Sequence, residues 1–284
     1  MGKFQDQLQR DLALKGFSQS TCRTYVAHVR RFVDHMGRSP ATVAGDDIRT
    51  YLHSLLQEKS VSQSYLNQVY SALKFFYETT LCQDWSSFRI PRTKQPKKLP
   101  IVLSSAELAR VFEVTTNLKH RTILVTMYSG GLRLNETTHL RVEDIDSDRM
   151  QIRVRQGKGA KDRYTLLAQR ALSLLRIYWQ AERPTTWLFP GVPATQPLSG
   201  RSVQKVLGRS LAKAQILKPA TVHSLRHSFA THLLEAGVDL YYIQRFLGHK
   251  TAQTTAIYLH VSRRDIARIV HPFDQWPADA LPAF

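Results

Sequence analysis

Residues 223–232 of the chain read HSLRHSFATH, a stretch that pairs histidine with arginine on a predicted helix. Residues three apart share a helical face, so His223 and Arg226 are predicted to point the same way. Imidazole and guanidinium groups together suit an anion such as phosphate, whereas the adjacent arginine would repel a metal cation. Taken alone, the segment fits a solvated helix face equally well.

Arg133 stands at a predicted helix junction earlier in the chain. It follows the glycine pair at 130–131, which is typical of a helix end, and Asn135 is predicted to cap the next helix. Glu136 comes three residues after Arg133. An ion pair between the two is the ordinary explanation.

Two further segments add a lysine and a tyrosine. Lys158 lies between glycines in GKGAKDR, residues 157–163, where alternating strands on either side predict a β-hairpin turn. LGH, residues 247–249, predicts a helix end at glycine, and Tyr258 follows nine residues later. A basic solvated hairpin and a core tyrosine would explain these segments one at a time.

Together and in this order, the segments resemble the tyrosine recombinases, the phage integrase family. The resemblance covers the whole chain and is closest to the compact Xer-type or integron-type two-domain members. Asn135 departs from the Ser, Thr or Gly that is common there, and Lys250 follows the Gly-His pair. The resemblance implies an enzyme that cleaves and rejoins DNA strands through a 3′-phosphotyrosyl intermediate, with no metal and no cofactor.

Each site residue has a chemical role in that reaction. The expected nucleophile is Tyr258, assisted by a base, a clamp on the non-bridging oxygens and a proton donor for the leaving 5′ oxygen. The base is expected to be His223 and the donor Lys158, with Lys161 as the alternative donor. The expected clamp on the phosphate consists of Arg133, Arg226 and His249.

The charge of the chain points to the same partner. Its 284 residues carry 40 Lys and Arg against 22 Asp and Glu, a net charge of +18. Residues 1–90 hold 11 basic and 8 acidic side chains, whereas residues 91–284 hold 29 and 14. Such a surplus favours double-stranded DNA as the partner. The expected DNA contacts, besides the catalytic set, are Arg92, Lys94, Lys97, Lys98, Lys161 and Arg163.

Apolar periodicity predicts helices throughout residues 1–90, with starts near Ser20, Asp46 and Ser62. Residues 91–100, PRTKQPKKLP, predict an extended basic linker because proline opposes a helix. A capping box at 104–107 opens a second domain, residues 101–284. The expected fold is therefore mainly α with a small β-sheet: a helical core-binding domain plus a mixed α/β catalytic domain of the tyrosine recombinase type.

Composition excludes several other classes. No stretch is apolar enough to span a membrane, and the N-terminus lacks the apolar core of a signal peptide, so we expect a cytoplasmic protein. Cys22 and Cys82 are too few for a disulfide framework or a metal site and are expected in the core.

Exchange between two duplexes requires four active sites, so a homotetramer on paired recombination sites is expected; the sequence specifies no accessory protein. The apolar C-terminal tail, which includes Trp276 and Phe284, could pack on its own domain or on a neighbouring protomer.

The sequence leaves two alternatives to the recombinase function. One is a type IB topoisomerase-like enzyme that relaxes DNA, and the other is a non-catalytic DNA-binding regulator on the same fold.

Overall fold

The computed structural model describes residues 2–57, 61–92, 99–155, 162–249 and 251–260. By its internal contacts the chain divides into two compact units, Met1–Lys97 and Lys98–Phe284. No helix among the described residues is long and apolar enough to cross a membrane.

The first unit is a bundle of four helices around one apolar core. The helices are α1 (Gly2–Leu14), α2 (Gln19–Met36), α3 (Gly45–Gln57) and α4 (Gln63–Phe75). The predicted cap Ser62 accepts a hydrogen bond from the Tyr65 amide. Helix α2 begins before the predicted Ser20, because Ser18 is the residue whose side chain caps it. Short helical turns complete the unit at Pro40–Thr42, Phe76–Thr80 and Trp85–Phe88.

Aromatic side chains fill the centre of this bundle. Phe32, Phe76 and Tyr77 are fully buried, and their rings meet edge to face. The Tyr77 hydroxyl donates to the Pro40 carbonyl at 3.1 Å, which satisfies the polar end of a buried ring. Cys22 is only partly buried and Cys82 is exposed, so the expectation that both lie in the core is wrong. Cys82 follows the π-helical turn with a φ of 53°, outside the packed helices.

The second unit is mainly helical with one small sheet. Its helices are α5 (Ser105–Val114), α6 (Leu118–Ser129), α7 (Leu134–Thr138), α8 (Gln169–Glu182), α9 (Gly200–Lys213), α10 (Val222–Glu235), α11 (Leu240–Leu247) and α12 (Ala252–Ala256), with 3₁₀ turns at Val142–Asp144 and Ile257–His260. The predicted capping box is present, because Ser104 and Glu107 bond each other's backbone amides. Helix α6 packs against α8, α9 and α10, and its Ile123, Leu124 and Met127 are fully buried.

The sheet has three antiparallel strands in the order β1 (Ile145–Asp146), β2 (Gln151–Val154) and β3 (Arg163–Leu166). Strands β2 and β3 form the predicted hairpin, with Ile152 opposite Thr165 and Val154 opposite Arg163. Ile152 and Val154 face the core, as their alternation with polar residues predicts. The two-residue strand β1 was not predicted, because so short a segment carries no periodicity.

The turn that ends α6 brings the Arg133 segment against α10. Gly131 has a φ of +57°, and a Cβ added there would stand 2.3 Å from the Phe229 ring. Only glycine tolerates both the left-handed backbone and this close approach. The glycine pair therefore places Arg133 beside the helix that carries Arg226.

Candidate active site

Five segments of the second unit meet at one cluster of charged and aromatic side chains. Arg133 caps α7, and Glu136 lies one turn into that helix. The other segments contribute Arg163 on β3, Arg226 and His227 on α10, His249 just after α11, and Tyr258 on the last 3₁₀ turn. Asn135, predicted to cap α7, lies inside that helix; the cap is Arg133, whose amide bonds Glu136.

Glu136 is the centre of the charged part. Its two carboxylate oxygens accept from both terminal nitrogens of Arg163, at 2.8 and 2.7 Å, in a bidentate pair. The same carboxylate accepts from Arg133 Nη1 at 2.7 Å and from the Arg133 amide at 2.8 Å. Arg226 Nη1 lies 3.9 Å away. One buried carboxylate thus bonds two guanidinium groups and lies within ion-pair distance of a third.

The pKa shifts of Glu136 and Arg226 are consistent with this set of ion pairs. Burial alone would raise the pKa of Glu136, but the ion pair with Arg163 and the hydrogen bonds from Arg133 outweigh it and lower that pKa to about 2. Burial and the neighbouring Arg133 lower the pKa of Arg226, whose guanidinium nevertheless keeps its proton at neutral pH. The cluster therefore stays charged across the physiological range.

Backbone carbonyls hold the arginines in place. Arg226 is buried, and its Nη1 and Nη2 donate to the carbonyls of Gly131 at 2.7 Å and Leu247 at 2.6 Å. Arg133 Nη2 reaches the Gly248 carbonyl at 3.5 Å, and its side chain stays 23% exposed. Two of the five N–H donors of Arg226 are thus engaged by carbonyls, which fixes the plane of its fork.

Arg163 ties the hairpin to the end of α11. Besides its pair with Glu136, its Nε donates to the Phe246 carbonyl at 2.8 Å, and its side chain is only 11% exposed. A Cβ at Gly248 would stand 2.8 Å from Arg163 Cδ, so the predicted glycine end of α11 also makes room for this arginine. The sequence analysis expected Arg163 to contact DNA; the structure instead turns its guanidinium inward to hold Glu136 and α11.

His249 is oriented by the segment that follows it. Its Nδ1 lies 2.9 Å from the Thr255 hydroxyl, which is fully buried, and Gln244 donates to its carbonyl at 3.2 Å. Burial and the arginine charges lower the pKa of His249 to about 3, so the ring is neutral. With Nδ1 engaged, Nε2 is the nitrogen left for a ligand.

Tyr258 is the tyrosine of this cluster, and its side chain is 1% exposed. Its ring stacks on His249 with centroids 6.4 Å apart, and its hydroxyl lies 3.1 Å from Nδ1 of His227. Burial raises the pKa of the Tyr258 phenol, while the charges of Arg226 and Arg133 oppose that rise. Arg133, Arg226, His249 and Tyr258, four of the predicted catalytic residues, thus come together.

The remaining predicted residues divide into two groups. His223 lies at the start of α10 with its surface exposed, and partial desolvation beside the cluster together with the charges of Arg226 and Arg133 lowers its pKa; within the described residues its side chain makes no hydrogen bond. Arg92 is exposed. Outside the described residues lie Lys94, Lys97, Lys98, Lys158, Lys161 and the apolar C-terminal tail from residue 261.

The sequence motifs leave two residues of the site without a role. His227 lies within the His-x-x-Arg segment but has no role assigned there, and Thr255 stands six residues after a histidine, a spacing that carries no recognisable pattern. Four-residue spacing could also have revealed an exposed basic row on α9. That row consists of Arg201, Lys205, Arg209 and Lys213.

Comparison with known proteins places this chain in a family. Residues 101–264 match the phage integrase family, and residues 4–87 match the phage integrase N-terminal SAM-like domain. A putative integrase/recombinase of Sinorhizobium fredii is 40% identical over 281 residues, covering 99% of this chain and 91% of its own. The chain belongs to the phage integrase family and is a tyrosine recombinase. The resemblance inferred from the motifs is thereby confirmed.

Other relatives of this recombinase carry related names. Tyrosine recombinase XerA of Thermococcus kodakarensis is 35% identical over 262 residues, which is 90% of each chain. The solved structure of XerH site-specific recombinase bound to a palindromic difH substrate has a TM-score of 0.70 at 22% identity, covering 85% of this chain and 76% of that one. This likeness confirms the predicted fold class, mainly helical with a small sheet.

The described part of the recombinase contains no group of three or more His, Cys, Asp or Glu side chains that could hold a metal ion. The polar groups that face the cluster are cationic or neutral, with Glu136 already enclosed by arginines. This donor set suits an anion.

Proposed function

We propose that this recombinase cleaves and rejoins double-stranded DNA at a recombination site through a 3′-phosphotyrosyl intermediate, with Tyr258 as the nucleophile. One observation carries the proposal: a single cluster combines Tyr258 with two fixed guanidinium groups and an oriented imidazole. A phosphodiester is the anion that such a set can both bind and react with.

The phosphate contacts follow from the donors that the cluster leaves available. Arg133 and Arg226 would hold the two non-bridging oxygens, since each keeps N–H donors that no acceptor among the described residues engages. His249 would add Nε2 as a neutral donor because Thr255 holds Nδ1. Folding has already desolvated and oriented these groups, so they are pre-organised for charge that develops at phosphorus.

The reaction also moves two protons. The phenol must lose one before its oxygen attacks phosphorus, and the departing 5′ oxygen must gain one. The resemblance assigns the first to His223 and the second to Lys158, or to Lys161; these roles remain predictions. The phosphotyrosyl bond retains the energy of the broken bond, so a free 5′-hydroxyl of another strand can attack it and restore the duplex.

DNA binding beyond the site is supported by charge. The basic row on α9, defined by Arg201, Lys205, Arg209 and Lys213, is exposed on a helix with no acidic residue. Phosphate contacts by such a row position a duplex without reading its sequence. We propose that residues 1–90 and the basic linker 91–100 add further contacts, and that Arg92, Lys94, Lys97 and Lys98 take part.

Strand exchange between two duplexes cuts four strands, so we propose a homotetramer on paired sites. The XerH structure contains a DNA substrate, and a lambda integrase structure contains a dimer bound to a core site, which supports DNA as the partner. We also propose that the protein acts in the cytoplasm. Neither alternative is favoured, because the relatives are named as integrases and recombinases.

Covalent capture tests the proposed function. The unaltered protein is incubated with nicked duplexes that carry a randomised central segment, and DNA that resists denaturing wash is sequenced to define a substrate. On that substrate, Tyr258→Phe should form no adduct while binding DNA normally, since it loses one oxygen and no charge. Tyr241→Phe, at an exposed position on α11, is the control and should form the adduct at the parental rate. An adduct in the Tyr258→Phe variant would refute the assignment.

A further inference from the structure

The hydroxyl of Tyr258 has one side-chain hydrogen-bond partner among the described residues, and that partner is His227. The Oη to Nδ1 distance is 3.1 Å, and the two ring centroids are 5.8 Å apart. Because the side chain of Tyr258 is 1% exposed, bulk water does not compete for this proton. In this arrangement a proton that leaves the phenol reaches Nδ1 of His227 first.

The protonation states give that hydrogen bond its direction. Burial raises the pKa of Tyr258, so the phenol is intact at neutral pH and is available as a donor. Burial, together with His223 and Arg226, lowers the pKa of His227 to about 4, so its imidazole is neutral. A neutral imidazole with its hydrogen on Nε2 presents the Nδ1 lone pair to the phenol.

We propose that His227, rather than His223, is the catalytic residue that accepts the phenol proton of Tyr258 during DNA cleavage. The proposal rests on the proposed function above. As Tyr258 Oη forms its bond to phosphorus, its proton passes to His227 Nδ1. The bond from phosphorus to the 5′ oxygen breaks with its electron pair on that oxygen, which takes a proton from the lysine general acid. Protons and charge balance, and no co-reactant is needed.

The bound phosphate makes His227 a better base than it is in the free protein. The groups around it are His223 and Arg226 on α10, His249 at the end of α11, and Tyr258 itself. The cationic arginine disfavours an imidazolium in the empty site. A phosphodiester adds a negative charge beside these groups, which raises the pKa of His227 toward the range where imidazole is an effective base.

His223 provides the matched comparison. It lies one helical turn before His227 on α10, is exposed, and makes no side-chain hydrogen bond in the described part of the chain. The same substitution at either position exchanges an imidazole for an amide on the same helix. The two variants therefore separate proton transfer from general effects on this helix.

The experiment is the pH dependence of single-turnover cleavage on the captured nicked duplex. His227→Asn keeps an acceptor oxygen near the Nδ1 position but takes no proton. We expect the rate of cleavage to fall by about 100-fold or more, with DNA binding unchanged. The decrease in rate at low pH, which is the acidic limb of the pH–rate profile, should disappear. His223→Asn should retain the acidic limb. The proposal is overturned if His227→Asn cleaves within about threefold of the parent with the limb intact, or if His223→Asn alone loses the limb.

A second measurement does not depend on the folding of a histidine variant. In ¹⁵N-histidine NMR spectra of the intact protein, His227 should carry its hydrogen on Nε2, and the Nδ1 resonance should shift in Tyr258→Phe. A hydrogen on Nδ1 in the intact protein would overturn the proposal. Failure of the proposed function looks different, because the unaltered protein would then form no adduct at all.

Discussion

Replacing Glu136 by Gln should destabilise the second unit more than any change of a surface ion pair. The substitution keeps the size of the side chain but removes the one negative charge among Arg133, Arg163 and Arg226. The amide keeps only one acceptor oxygen and places an NH2 donor against a guanidinium, so the bidentate pair with Arg163 is lost. Three guanidinium groups would then repel one another in a site that water barely reaches.

The magnitude follows from the pKa of the carboxyl group. A fall from 4.5 to about 2 means that the folded protein favours the ionised form by about 3 kcal/mol. Removal of one partner from a buried ion pair typically costs roughly 3–5 kcal/mol. For a unit of this size, that corresponds to a drop of about 10 °C in Tm.

The assay is thermal and urea unfolding, with Glu143→Gln as the control. Glu143 pairs with Arg155 and Arg141, but its side chain is 61% exposed, so its loss should cost less than about 1 kcal/mol. The pH dependence adds a second test. Because the folded pKa of Glu136 is depressed, its contribution is complete above pH 4.5 and is lost as pH falls from 4.5 toward 2. The gap between Glu136→Gln and the parent should narrow in that window. If Glu136→Gln costs no more than Glu143→Gln, Glu136 is not the electrostatic centre of the site.

Two further substitutions test how the site is positioned. Gly131→Ala should lower the free energy of unfolding in urea by roughly 2–4 kcal/mol, because the added Cβ meets Phe229 at 2.3 Å on a left-handed backbone. The control Gly208→Ala, on the open face of α9, should raise it by about 0.5–1 kcal/mol. Equal effects at the two glycines would contradict this. Thr255→Val should slow single-turnover cleavage about tenfold or more by releasing Nδ1 of His249, while Thr255→Ser and the exposed Thr254→Val should stay near the parental rate. A Thr255→Val variant as active as Thr255→Ser would show that the hydrogen bond has no role.

Much of the fold was predictable because its signals are local. The Ser104–Glu107 capping box, the glycine stop after α6 and the alternation in β2 each depend on neighbours within a few residues. The helical starts shifted by up to two residues where two serines compete for one cap, as at Ser18 and Ser20. A cysteine in a left-handed turn, Cys82, has no local signature that separates it from a core cysteine.

The sequence motifs predicted four residues that the structure brings together, but they did not predict the contacts that hold those residues in place. The motifs identified Arg133, Arg226, His249 and Tyr258 because their spacing along the chain resembles that of a family. The partners of these residues come from segments far apart in sequence, such as Arg163 with Glu136 and Arg226 with Gly131. Such pairs depend on packing, so the sequence analysis left Arg163 among the DNA contacts and did not distinguish His227 from His223 as the partner of the phenol.

For the proposed reaction, the contacts within the cluster explain how it can favour the transition state over bound substrate. Three guanidinium groups and one carboxylate leave a surplus of two positive charges, with Arg163 largely neutralised by its bidentate pair. A phosphodiester brings one negative charge. In the proposed reaction, once the phenol of Tyr258 has given up its proton and begun to attack, the reacting group carries two negative charges. The fixed guanidinium groups therefore face a negative charge that grows during the proposed reaction, and because Glu136 and the backbone carbonyls hold them in advance, little reorganisation is needed.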